Sequence, residues 1–235
     1  IEAGSRLRFI GRAGAGVDNI DMAAATRRGI IVANAPEGNT LAATEHTMAM
    51  ILSLARNIPQ ANSSLKKKEW KRSKFMGVEV NEKTLGIVGL GRIGREVAKR
   101  ANVMGMHCVG YDPFISKEKA SQMGVEALSL EELFKVADFI TVHTPLINET
   151  RHIINASSIA TMKDGVRIIN CARGGIIDEK DLYDAIVAGK VAGAALDVFE
   201  EEPPLDSPLL TLEKVITTPH LGASTVEAQT NVAVS

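Results

Sequence analysis

The sequence predicts an α/β protein of the doubly wound kind, a parallel sheet with helices on both faces, and three observations lead there. Beyond Lys83, short apolar runs alternate regularly with stretches of helical periodicity. The runs are apolar at consecutive positions, as expected of strands covered on both faces. A glycine-rich turn joins the first run to the helix after it. The 235 residues, 45% of them hydrophobic, suffice for one large domain or one and a half.

Taken in order, RLRFIGRAGAGVDNID reads as a short strand entering a glycine-rich turn, and RRGIIVANAP as a second strand stopped by Pro36. Two strands cannot bury a sheet by themselves, so partner strands are expected from elsewhere. From Asn39 to Arg56 apolar residues recur at helical spacing, with Asn39 or Thr40 as the cap and Pro59 beyond the far end. SLKKKEWKRSKF is basic and holds the single tryptophan; its local pattern is that of a solvated helix anchored by Trp70. Six strand candidates follow: TLGIVGL, HCVGYD, DFITVH, VRIINCA, VAGAALDV and VITTPH. REVAKRANVM, SKEKASQM, LEELFKVA, NASSIATM and EKDLYDAIVA are the helices between them. The chain opens at Ile1 and closes at VAVS without a cap, which reads as part of a longer polypeptide.

Charge narrows the function. With 27 basic against 28 acidic side chains and no long run of one sign, neither nucleic acid nor a membrane surface is expected as a partner; a small-molecule substrate is. TMAMILSLA is too short to span a bilayer and no signal-peptide layout stands at the start, so a cytoplasmic protein is expected. Cys108 and Cys171 lie far apart in no metal-ligand spacing; both read as reduced thiols, and no metal is expected.

GLGRIG, from Gly89 to Gly94, follows TLGIV and opens the helix REVAKR, and Asp112 closes the next strand about 20 residues on, the setting in which GxGxxG signals a dinucleotide. Gly89 permits the turn, Gly91 lets the backbone approach a pyrophosphate, and Gly94 lets the helix pack on the strand. Free N–H groups at the helix start favour the diphosphate. Arg92 adds a charged donor beside it. Asp112 would accept the adenosine ribose hydroxyls and repel a 2′-phosphate, so NAD rather than NADP is predicted.

A dinucleotide on this edge puts its nicotinamide beside the loops after the later strands, VHTPL, CARGG, DVFEEEPP and PHLGAS. Hydride transfer at a carbinol carbon needs a proton acceptor for the hydroxyl, a cation for the substrate's carboxylate, and a group that holds the acceptor in one tautomer. His220 fits the first role, and Arg173, with its forked planar head, the second. One of Glu200, Glu201 and Glu202 fits the third. His143, ending a strand on the same edge, rivals His220, while His46, His107 and His152 read as structural or solvated.

GRAGAGVDNID, GLGRIGREVAKR, VHTPL, NCARGGIIDE, GAALDVFEEEPP and PHLGAST together resemble the D-2-hydroxyacid dehydrogenase family over nearly the whole chain. Within it they look like the members that oxidise 3-phospho-D-glycerate to 3-phosphohydroxypyruvate in L-serine biosynthesis. The resemblance implies a Rossmann-like NAD domain inserted in a flavodoxin-like substrate domain. Residues 1–33 would be a remnant of the substrate domain, 34–225 the NAD domain with its connecting helix, and 226–235 the start of the return. It selects Arg173, Glu202 and His220 as the catalytic trio. It implies cofactor contacts from Gly89, Gly91, Arg92, Ile93, Gly94, Asp112, Thr144, Pro145, Cys171, Ala172, Arg173, Asp197, His220, Leu221, Gly222 and Ala223. Substrate contacts are implied for Arg12, Gly14, Asn34 and Arg72, with Arg72 reaching the substrate's phosphate from a neighbouring subunit of a homodimer or homotetramer.

Ala15 departs from the pattern, standing where relatives often place threonine or serine, which would remove one hydroxyl contact. Two alternatives stay open. One is a relative acting on glyoxylate, hydroxypyruvate or D-lactate, which would not need Arg12 and Arg72. The other is an NAD(H)-sensing corepressor on the same fold.

Overall fold

The computed structural model describes the chain apart from Ala15, Asp18, Pro36 and Ser235 and the side chain of Val234. The expectations for Pro36 as a strand stop and for Ala15 as a lost contact lie outside the described residues. At the N-terminus β1 (Phe9–Arg12) and β2 (Ile31–Asn34) pair in parallel, with α1 (Met22–Arg27) between them in sequence. Six residues are too few to write an apolar stripe, so α1 goes unannounced by periodicity; its signal is the Asp21 cap, whose carboxylate accepts the amide of Ala24.

α2 (Thr40–Arg56) buries Ala43, Thr47, Ile51 and Leu54 along one face. It stops at Asn57 in the left-handed conformation, and α3 (Ile58–Lys66) starts there with Pro59 in its first turn. The basic segment corrects its sequence reading. Lys66, Lys67 and Lys68 offer no apolar stripe to bury, the helix ends among them, and Arg72–Phe75 forms only a short 3-10 turn. Trp70 is 77% exposed and so is no packing anchor among the described residues.

The alternating part runs β3 (Thr84–Val88), α4 (Arg92–Val103), β4 (His107–Tyr111), α5 (Lys117–Gln122), β5 (Glu126–Ala127), α6 (Leu130–Val136) and β6 (Phe139–Val142). It continues with α7 (Ala156–Thr161), β7 (Val166–Asn170), α8 (Glu179–Val187), β8 (Val191–Leu196), β9 (Val215–Thr217) and α9 (Val226–Val234). Strands β3 to β9 form one parallel sheet in the order β5-β4-β3-β6-β7-β8-β9. All six expected strands are present. β5 is an addition, two residues at the sheet edge, too short to show as an apolar run.

Successive strand residues feed opposite cores. Ile169 joins Ile87, Phe139, Ile51 and Val97 under α2 and α4, while Ile168 joins Ile140, Leu133 and Leu182 under α6 and α8. Each such side chain, fully buried, contributes about 1.5–3 kcal/mol, so the sheet is a stiff platform. The strand order departs in opposite directions from β3 and β6, and the crevice between departing connections opens there. Cys108 and Cys171 are free and buried; burial pushes their thiols up to about 11 and about 12, which keeps both protonated. Among the described residues no helix is long and apolar enough to cross a membrane, and no cluster could hold a metal ion.

Candidate active site

The glycine loop has the form a diphosphate needs. Gly89 has φ 96°, and a Cβ on Gly94 would lie 2.0 Å from the Gly89 carbonyl oxygen, so α4 can start tight against β3 only with glycine there. A Cβ on Gly91 would meet nothing within 4 Å, which leaves that side open to a ligand. No side chain caps α4, so its first amides face outward. Asp112, at the end of β4, accepts the amides of Leu90 at 2.8 Å and Phe114 at 2.9 Å. It therefore braces the glycine loop.

The loop after β7 is shaped by Asn170, which is buried and donates to the Arg173 carbonyl at 2.8 Å while accepting the Ala172 amide at 2.9 Å. Arg173 Nη1 donates to the Ala172 carbonyl at 2.6 Å, folding the guanidinium back over its own loop. A Cβ on Gly174 would lie 1.7 Å from the Phe199 carbonyl oxygen, so this loop presses against the loop after β8.

That next loop carries the three glutamates, and the structure separates them. Glu200 lies 3.1 Å from His152, Glu201 is exposed, and Glu202 Oε2 lies 2.9 Å from His220 Nδ1. His220 has φ 55°, an uncommon conformation for a side-chain-bearing residue, and its amide donates to the Asp197 carbonyl at 2.9 Å. Asp197 itself is fully buried at the end of β8. Burial alone would raise its pKa, but donation from His46, Thr218 and the amides of Leu221 and Gly222 outweighs it and holds the carboxyl below its ordinary value.

These loops enclose a cavity of about 380 Å³. Arg92 and Ile93 line it from the glycine loop, His143, Thr144 and Pro145 from the loop after β6, and Cys171, Ala172 and Arg173 from the next. Asp197, His220, Gly222 and Ala223 complete that side. His143, the rival histidine, bonds Thr141 Oγ1 at 3.0 Å and is held neutral by burial, its pKa lowered to about 4. Leu221 turns aside, 39% exposed, though its amide holds Asp197. Arg92 Nη2 is 3.7 Å from Glu37 at the cavity mouth.

The sequence reading missed the wall opposite, which the start of α2 supplies through Asn39, Thr40 and Ala43. Their spacing on one helical face is its only trace. Asn39 Oδ1 and Thr144 Oγ1 are both buried without a partner in this structure, an arrangement that fits a polar ligand in the cavity. The open glycine loop and these two orphaned atoms fit NAD.

The expected substrate residues are not at the cavity. Arg12 and Asn34 are register partners across β1 and β2, and Arg12 also lies beside Gly14, so these three group together away from it. Arg72 lines a separate shallow concavity with Trp70 and Lys71.

The profile described as "D-isomer specific 2-hydroxyacid dehydrogenase, NAD binding domain" matches residues 48–222. The chain belongs to that family. It therefore carries the NAD-binding domain characteristic of that family. It is 60% identical over 230 residues to a D-3-phosphoglycerate dehydrogenase of Methanocaldococcus jannaschii, matching 97% of this chain and 44% of that one. It is 58% identical over 229 residues to the D-3-phosphoglycerate dehydrogenase of Homo sapiens, matching 97% of this chain and 43% of that one. The chain thus spans less than half the length of the curated relatives it matches. Its fold superimposes on a D-lactate dehydrogenase from Aquifex aeolicus complexed with NAD and lactic acid, with TM-score 0.89 and 35% identity over 97% of this chain and 73% of that one.

Proposed function

We propose that the protein catalyses the NAD-dependent oxidation of 3-phospho-D-glycerate to 3-phosphohydroxypyruvate, as its similarity to D-3-phosphoglycerate dehydrogenases suggests. The observation that carries the mechanism is the pairing of His220 Nδ1 with Glu202 at 2.9 Å on the lip of the cavity that Arg173 lines. With Nδ1 engaged, Nε2 is the nitrogen left for the substrate. His220 takes the hydroxyl proton there during oxidation and returns it during reduction, and Glu202 offsets the positive charge the ring then carries. Arg173 grips the substrate's carboxylate. Bound NAD would supply the hydride acceptor.

In this reading Gly89, Gly91, Arg92, Ile93 and Gly94 would hold the diphosphate and Asp112 the ribose. Thr144, Pro145, Cys171, Ala172, Asp197, Leu221, Gly222 and Ala223 would hold the nicotinamide side. Residues 1–33 and 226–235 belong to the substrate domain and 34–225 to the NAD domain. Arg12, Gly14 and Asn34 meet substrate when the two close, and Arg72 meets its phosphate from a second subunit of a cytoplasmic homo-oligomer.

The test follows NADH absorbance with the full-length protein offered 3-phosphohydroxypyruvate beside hydroxypyruvate, with His220→Asn as control. Preference for the phosphorylated acid, abolished in the variant, is the expected result. No preference would move the protein to the dehydrogenases of unphosphorylated hydroxy acids. Turnover surviving in the variant would pass the proton role to His143.

A further inference from the structure

Beneath the loop that carries His220 lies a polar cluster whose histidine has no role so far. His46 stands on α2 with its side chain 19% exposed, and its Nε2 is 3.1 Å from Thr218 Oγ1 and 3.2 Å from Asp197 Oδ1. The Thr218 hydroxyl lies 2.6 Å from the same carboxylate oxygen. An ionised carboxylate only accepts, so the single hydroxyl hydrogen goes to Asp197, and Thr218 Oγ1 can only accept from His46. His46 Nε2 therefore carries a hydrogen and donates toward both oxygens.

Asp197 relays this hold to either side of His220. Its carbonyl accepts the His220 amide at 2.9 Å, and its carboxylate accepts the amides of Leu221 at 2.7 Å and Gly222 at 2.8 Å. The loop needs such restraint, because His220 sits at φ 55°, which a free chain seldom visits.

We propose that His46 is a positioning residue for His220. It ties the turn from Thr218 to Gly222 to α2, a helix buried against the sheet, and so keeps the imidazole aimed into the cavity without touching substrate or cofactor. The proposal rests on the reading of His220 as the proton carrier. The same helix supplies Asn39, Thr40 and Ala43 to the opposite wall, so the donation from His46 fixes the distance between the two sides of the cavity.

The experiment compares His46→Leu, His46→Gln and His46→Asn in the full-length protein, with His220→Asn alongside. It reads kcat and KM for 3-phosphohydroxypyruvate, NADH affinity by fluorescence titration, and the thermal midpoint. Losing the donor should lower kcat about tenfold in the leucine variant, the worth of one charge-assisted hydrogen bond, with NADH affinity changed less than about threefold. Glutamine sets an N–H donor near the place of Nε2 and should recover kcat to within about threefold of wild type, whereas the shorter asparagine should not. Wild-type kcat in the leucine variant would overturn the proposal. So would equal losses in the leucine and glutamine variants, which mean that only the shape of the ring matters. If the leucine protein does not fold, the glutamine and asparagine variants decide, recovery in the first alone being the supporting result. Full turnover by His220→Asn would instead remove the reading of His220 itself, whatever the His46 variants do.

Discussion

Glu202 holds His220 with one carboxylate oxygen and its own loop with the other: Oε2 is 2.9 Å from His220 Nδ1, and Oε1 accepts the Phe199 amide at 3.2 Å. The acid is thus tethered to its own loop as well as to the ring. Replacing Glu202 by glutamine keeps the shape and removes the charge that, in the proposed reaction, would offset the imidazolium. Steady-state kinetics should then show kcat lowered by about 10²-fold with NAD affinity nearly unchanged, since general acid–base assistance is worth at least that much. An unchanged kcat would mean that the pair is structural.

Two glycines of one loop should respond in opposite ways. Gly91→Ala adds a methyl group where nothing lies within 4 Å, so the thermal midpoint should hold while NAD binding weakens at the obstructed diphosphate face. Gly94→Ala drives the methyl group to 2.0 Å from the Gly89 oxygen and should destabilise the fold by about 1–3 kcal/mol as α4 is pushed off β3. Calorimetry and NAD titration on the two variants separate the effects.

Asp112 braces the glycine loop, its oxygens accepting the Leu90 and Phe114 amides, and in the proposed function it also meets the cofactor's ribose. Asp112→Ala should weaken NAD by about tenfold or more, as loss of hydrogen bonds to a charged acceptor does, and should narrow the gap between NAD and NADP. Titration with both dinucleotides reads the gap; a gap as wide as in wild type would place the discrimination elsewhere.

His143 should make the fold sensitive to mild acid. Its folded pKa of about 4 lies below the unfolded value of about 6.5, so the unfolded chain binds the proton first, and stability present above about pH 6.5 is lost as pH falls toward 4. Between pH 7.5 and 5 the loss should be about 1–2 kcal/mol, below the full value of the shift because the ring opens to the cavity. Asp197, also depressed, keeps its contribution until pH drops below the ordinary carboxylate range of about 3.9. Urea unfolding of wild type and His143→Gln at the two pH values checks this, the variant being the less sensitive.

Much of the fold could be read from the chain because strands buried on both faces write continuous apolar runs, as TLGIV and FITV do. α1 and β5 could not, being too short to build a pattern. Arg173 and His220 were legible because each follows such a run. Choosing among Glu200, Glu201 and Glu202 from the residues themselves was not possible; in the structure His152 draws off the first, and the third meets His220. His46 reads from the sequence only as structural or solvated, because its partner Thr218 lies 172 positions along the chain, a juxtaposition that only the packing of α2 creates.

The loops holding His143, Arg173, Glu202 and His220 leave four neighbouring strands, β6 to β9, in the order in which those strands lie side by side. Neighbouring strands repeat at about 4.8 Å, so the sheet edge works as a ruler whose marks are set by backbone hydrogen bonds rather than by any side chain. A mutation can blunt one mark but cannot respace the others. New specificity is therefore most easily gained by changing what leans over the ruler.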